Sequence, residues 1–260
     1  MALTESVKKI IIVILVIVIL IMLFNYFAKD KSILQDIIQN GQQMSVISAN
    51  TLETNGTNIP SNNFAYSIWF YVNDWNYRYG ETKVIFGRMG SSSSLGNGSL
   101  ANLNLQGSDP CPTVILGSVQ NDLTVALSCY PPSTVAPTAN KKSKFMVHQC
   151  TVPNVPIQSW VNLIVSVYGR TLDIYLNGKL VKTCLLPGIA NINNSANVFV
   201  TPNGGFNGWT SRFHYWNNPL NPQDAWNVYN KGYSANYSWI NYALKFSLLK
   251  NGVEQNHITI

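Results

Sequence analysis

The chain has 260 residues, of which 11% are charged and 12% aromatic, with 17 basic against 11 acidic side chains. That charged fraction is less than half of the roughly 25% usual for a soluble domain. The basic residues are scattered except at Lys141, Lys142 and Lys144, so the net charge of +6 does not make the basic face of a nucleic-acid binder. Polar surface has to come from amides and hydroxyls instead, and asparagine alone occurs 32 times.

Ile10 to Phe24 are fifteen apolar residues without a break. Extended through Ala28, the run makes about 28 Å of helix, close to a ~30 Å hydrocarbon core, and predicts a single transmembrane anchor in the lipid bilayer from Ile10 to Ala28. Lys8 and Lys9 also suit a cleaved signal peptide, but Tyr26 and Ala28 followed by charged residues make a poor cleavage site. Lys8 and Lys9 stand against Lys29 and Lys31, so charge leaves the orientation open. Residues 1–28 are read as tail and anchor. Residues 29–44 follow as a stalk, because Ile33, Leu34, Ile37 and Ile38 fall at helical spacing.

From Ser45 onward short strand patterns separated by turn residues replace helical periodicity. Phe64 to Val72 alternates with apolar or aromatic groups on both faces, the pattern of a strand inside a sandwich. Further strands are expected at Val84 to Gly87, Ala101 to Leu105, Val114 to Leu116, Leu123 to Cys129 and Phe145 to Val152, with loops over 91–99 and 131–144. Trp160 to Cys184 contains the clearest hairpin: Asn177-Gly178 suits a type I′ turn, which sets Asp173 opposite Lys182 and Ile174 opposite Val181. Val198 to Val200 and Thr210 to Trp216 are strands, Asn221-Pro222-Gln223-Asp224 opens a short helix ending before Gly232, and residues 234–260 end in a hairpin around Lys250-Asn251-Gly252.

Cys111, Cys129, Cys150 and Cys184 show no CxxC spacing and no histidines at zinc-finger distance. Three disulfide connectivities are open; neighbouring strand segments favour Cys111 with Cys129 and Cys150 with Cys184, against free buried thiols as the alternative. Sequons stand at Asn55, Asn97, Asn193 and Asn236, several of them expected by chance in so asparagine-rich a chain.

With only four glutamates and no Glu-x-Asp-x-x-Glu run, the chain shows no paired acids for glycoside hydrolysis, and neither a G-x-S-x-G elbow nor a phosphate loop is present. No metal site is expected. Asp74, Asp109 and Asp122 could contribute to calcium, but serve more simply as turn formers. Trp69 and Trp160 lie in apolar strands and are expected in the core, while Trp216, Trp226, Tyr229 and Trp239 are expected to pack the short helix and terminal hairpin onto the sandwich. Trp75, Tyr77, Arg78 and Tyr79 crowd one loop-like segment, a candidate contact for a partner or glycan.

FAYSIWFYVNDW, VPIQSWVNLIVSVYGRTLDIYLNGKLVKTC and GGFNGWTSRFHYWNNPLNPQDAWNVYNKG together resemble the laminin G-like, concanavalin A-like domains over residues 45–233. The resemblance implies an all-β jelly-roll sandwich behind an N-terminal transmembrane helix. With the anchor and terminal hairpin it is similar to membrane proteins of large DNA viruses of algae and protists. It thus implies a non-enzymatic minor capsid protein facing the capsid from the virion inner membrane, with capsid proteins as partners. The alternative is a surface-exposed carbohydrate-binding or adhesion protein. Neither reading calls for a cofactor.

Overall fold

The computed structural model describes residues 5–27, 32–53, 62–89, 110–131, 146–234, 245–250 and 253–259. The expected strand at Ala101 to Leu105, Asp109, Lys141, Lys142, Lys144, Trp239, and the sequons at Asn55, Asn97 and Asn236 lie outside them.

Helix α1 runs from Glu5 to Phe27, and Ile11 to Leu20 along it are 45–60% exposed. Among the described residues no helix is long and apolar enough to cross a membrane; the side chains of α1 are described at Lys9 and from Ile11 to Leu23, only about 20 Å of helix.

Two antiparallel sheets follow. β1 (Ile33–Gln35), β13 (Asn207–Trp216), β4 (Phe64–Asp74), β9 (Trp160–Tyr168), β10 (Thr171–Leu176) and β11 (Lys179–Leu185) lie side by side in the first, with β2 (Gln39–Asn40) also on β13. The second has the order β3 (Ser45–Ile47), β12 (Val198–Val200), β5 (Lys83–Met89), β6 (Pro110–Leu116), β7 (Leu123–Cys129) and β8 (Met146–Val152). A short helix α2 (Ala49–Glu53) follows β3, and β14 (Lys245–Lys250) with β15 (Val253–Thr259) forms the expected terminal hairpin.

The core lies between the sheets. Alternate residues of β4, namely Phe64, Tyr66, Ile68, Phe70 and Val72, meet Val161, Leu163, Val165 and Val167 of β9 and Val114, Leu116, Val125 and Leu127 of the facing sheet. The other face of β4 is covered too. Helix α3 (Pro222–Asn230) lies over it, with Ala225, Leu220 and Val228 against Ile164 and Tyr175. Its start is the expected one: the Asn221 side chain accepts from the Asp224 amide, and Asp224 accepts in return from the Asn221 amide.

Three expectations are corrected. The stalk is not helical: Ser32 to Asn40 belongs to the sandwich, where β1 and β2 pair along β13, because Leu34 buries itself against the core and the edge of β13 offers the hydrogen bonds. The β10–β11 turn is as expected, with Asn177 at φ 51° and Gly178 at 72°, but a bulge at Val181 moves the ladder by one. Asp173 therefore faces Thr183, whose hydroxyl donates to it at 2.6 Å, and Ile174 faces Lys182.

The third concerns Cys111 and Cys129 alone, since the expected Cys150–Cys184 pairing is borne out. Cys150 of β8 and Cys184 of β11 form a disulfide, whereas Cys111 and Cys129 are buried thiols. The β6–β7 ladder ends at Thr113 opposite Ala126, so Cys111 leaves β7 before it reaches Cys129, which instead bridges to Ala190. Burial pushes the Cys129 thiol up to about 11. At pH 8 only about one molecule in a thousand carries that thiolate. Iodoacetamide followed by mass measurement should find Cys129 unmodified in the folded chain at pH 8 and fully modified in urea; rapid native labelling would contradict the burial.

Candidate functional site

The end of the sandwich away from Ser32 is built by three loops. After β4, Asp74 accepts a hydrogen bond from the Asn76 amide and turns the chain, and Gly80 N–H donates to the Ser118 carbonyl. Between β6 and β7, Gly117 N–H donates to the Asp122 carbonyl, and a Cβ on Gly117 would fall 1.9 Å from Asp122 Oδ1, so only glycine fits that turn. After β8, Asn121 Nδ2 donates to the Val155 carbonyl, the Val155 amide donates back to Asn121, and Asn154 takes a left-handed φ of 56°.

Trp75 stands where the three loops meet. Its Nε1 donates to the Val119 carbonyl at 3.1 Å, and the Lys83 ammonium lies 5.1 Å from the ring centroid. The indole is thereby fixed along its edge and over a face. Lys83 is only 1% exposed, and its pKa is lowered, first by loss of solvent and then by the nearby Arg78 charge. Trp75 forms one wall of a cleft of about 570 Å³, with Val119, Gln120, Asn121, Asp122, Pro153, Asn154 and Ile157 around it. A second cleft of about 420 Å³ shares Val119, Gln120 and Asp122 and extends to Thr124 and Gln149. Val119 and Ile157 are 53% and 43% exposed. The result is one oriented indole, two exposed aliphatic groups and a rim of amides.

The other residues of the expected contact segment do not join Trp75. Tyr77 donates its hydroxyl to the Gly204 carbonyl at 3.0 Å, and Arg78 pairs with Glu81 at 2.5 Å and donates to the Asn203 carbonyl. Both strap the loop to the β12–β13 turn. Tyr79 is 59% exposed outside the cleft. Asn193 is the sequon within the described residues; its side-chain oxygen accepts from the Ser195 amide and hydroxyl.

No group of three His, Cys, Asp or Glu side chains gathers for a metal among the described residues. Ser32 and His214 form a close hydroxyl–imidazole pair at 3.0 Å, but they are 7% and 3% exposed and line neither cleft.

Trp69 and Trp160 are not in the inter-sheet core. They sit on the outer face of the first sheet, where Trp69 stacks on Tyr229 of α3 and Trp160 on Tyr233. Trp209, Tyr71 and Trp160 occupy directly opposed positions on β13, β4 and β9, forming an aromatic rung. Sequence reading missed the rung because register between distant strands is invisible in the chain. The alternation of each strand was its only signal.

Neither a family model nor a curated protein sequence matches the chain. Solved structures do. A receptor-binding domain superposes with a TM-score of 0.50 at 14% identity, covering 76% of this chain and 45% of that one. The botulinum neurotoxin serotype D/C VPI 5993 binding domain gives 0.49 at 15% identity, with 75% and 43% covered. The botulinum neurotoxin DC binding domain solved with rat synaptotagmin II gives 0.47 at 14%, with 76% and 46% covered. The likeness is one of fold. This chain spans less than half the length of those chains, and the shared element is the antiparallel β-sandwich; the finer laminin G-like and viral assignment is not carried by it.

Proposed function

We propose that the protein is a non-enzymatic, single-pass membrane protein that binds a glycan in the Trp75 cleft. The observation that carries this reading is the cleft itself. A pyranose presents an apolar face and a hydroxyl rim, and the fixed indole, flanked by Val119 and Ile157 and ringed by Gln120, Asn121 and Asn154, complements both. Anchoring rests on α1, whose 23-residue backbone makes about 34 Å of helix against a ~30 Å hydrocarbon core. Its exposed Ile, Leu and Val side chains suit lipid. Glycan binding is preferred to a capsid-bridging role on a virion inner membrane, the reading favoured by the resemblance, because the cleft suits a sugar.

The test is a glycan array probed with the full chain in nanodiscs, followed by titration of the retained sugar. Trp75→Ala is expected to weaken binding about tenfold, or ~1.4 kcal/mol. Because Trp75 also packs on the core, Gln120→Ala and Ile157→Ala, at exposed positions, should each weaken binding with the melting temperature unchanged. An array with no retained glycan, or a Trp75→Ala protein that binds as before, would sink the proposal.

A further inference from the structure

The sandwich end opposite the cleft carries a separate cluster of exposed apolar and aromatic side chains. Tyr168 closes the β9–β10 turn at 67% exposure, and Leu185, directly across from Thr171 at the end of β11, is 71% exposed. Ile189, four residues beyond Leu185, and Tyr130, just past the end of β7, are 48% and 43% exposed, tied together by the Tyr130 amide donating to the Ile189 carbonyl. Met146, opposite Cys129 at the start of β8, is 44% exposed. Arg170 adds an exposed cation in the same turn, with Nε donating to the Leu186 carbonyl. Five large apolar groups and a guanidinium therefore share one end.

That end is also where the chain arrives from α1. The Tyr215 amide donates to the Ser32 carbonyl, Trp216 pairs with Ala65, Phe64 pairs with Val167, and the Gly169 amide donates to Asn63 Oδ1. Ser32 thus joins the first sheet within a few residues of the level of the Tyr168 turn. Phe27, the last residue of α1, and Ser32 are separated only by residues 28–31. Five peptide steps reach at most about 18 Å even when fully extended.

We propose that this end of the sandwich lies in the headgroup layer of the bilayer that α1 anchors, with Tyr168, Leu185, Ile189, Tyr130 and Met146 as the contacting groups. The inference rests on the anchor reading above. The short tether holds the domain at the surface, so the apolar rim meets lipid without further loss of translational freedom. Tyrosines beside a guanidinium suit the interface, where a ring takes the acyl boundary and a charge takes phosphate. The Trp75 cleft then points away from the membrane.

Spin labels on Tyr168→Cys and, separately, Val119→Cys in the full chain reconstituted into phosphatidylcholine nanodiscs test this. Power saturation should show the Tyr168 label several-fold more accessible to oxygen, which partitions into lipid, than to a water-soluble nickel chelate. The Val119 label at the cleft end should show the reverse. An Ile189→Cys label should follow Tyr168, which guards against a local effect of one substitution. If the chain stays membrane-bound after alkaline carbonate extraction but the Tyr168 and Ile189 labels are as nickel-accessible as Val119, the lipid contact is overturned and the rim is left for a protein partner. If carbonate releases the chain, the anchor reading fails and this inference fails with it.

Discussion

Replacing Cys184 by serine should lower the unfolding free energy of the sandwich by about 4 kcal/mol, the loop-closure value for a bridge spanning 34 residues. The effect is large because of where the bridge lies. β8 and β11 are terminal strands of different sheets, share no backbone ladder, and are joined covalently by Cys150 and Cys184. Without the bridge β8 and β11 themselves are held to each other by packing alone. Urea unfolding of the full chain in nanodiscs, followed by tryptophan fluorescence, should show a lower midpoint with the slope little changed. A shift worth less than about 1 kcal/mol would mean that the packing alone holds that side.

Tyr66→Ala is expected to cost about 3–5 kcal/mol, as for other large-to-small changes in a closed core. Tyr66 is 1% exposed, and its ring centroid lies within 6 Å of those of Phe64, Phe86, Phe213 and Tyr215. Its hydroxyl lies 3.5 Å from Nη1 of Arg88, a buried guanidinium that also donates to the Ala196 and Asn194 carbonyls. Tyr66→Phe keeps the ring and removes one long hydrogen bond from a buried guanidinium, so it should cost about 1–2 kcal/mol, clearly less than the alanine change. Equal losses in the two variants would assign the site's worth to the hydroxyl and refute the packing account. Burial raises the Tyr66 pKa well above the ordinary value of 10.0, with the Arg88 charge opposing. A phenol whose folded pKa is raised lends stability below pH 10 and loses it as pH climbs beyond, so wild type should weaken in alkali more than Tyr66→Phe does.

Local chemistry was legible where a few adjacent residues decide the outcome. Asn221 and Asp224 announce a helix start, Asn177-Gly178 announces a hairpin turn, and the two-faced alternation of Phe64 to Val72 announces a strand covered on both sides; all three stand in the structure. Pairing partners were not legible. Ile33, Leu34, Ile37 and Ile38 satisfy a helical period, yet the open edge of β13 makes strands of that segment. Cys111 and Cys129 lie in neighbouring strands, but their ladder ends too soon for a bridge. Trp75 stood out as an aromatic in a turn-rich segment. Its partners did not, because Val119 is 44 residues further along and Asn154 and Ile157 further still.

Ser32 and His214 meet across 182 residues, and β1 finds its place only on β13. At 5–20 residues per second the ribosome needs roughly 10 to 40 s between making one and the other. Throughout that interval the edge of β4 that β13 will occupy lacks that partner, and β1 waits for the strand it pairs with. β1 can therefore dock only after nearly the whole sandwich has left the ribosome.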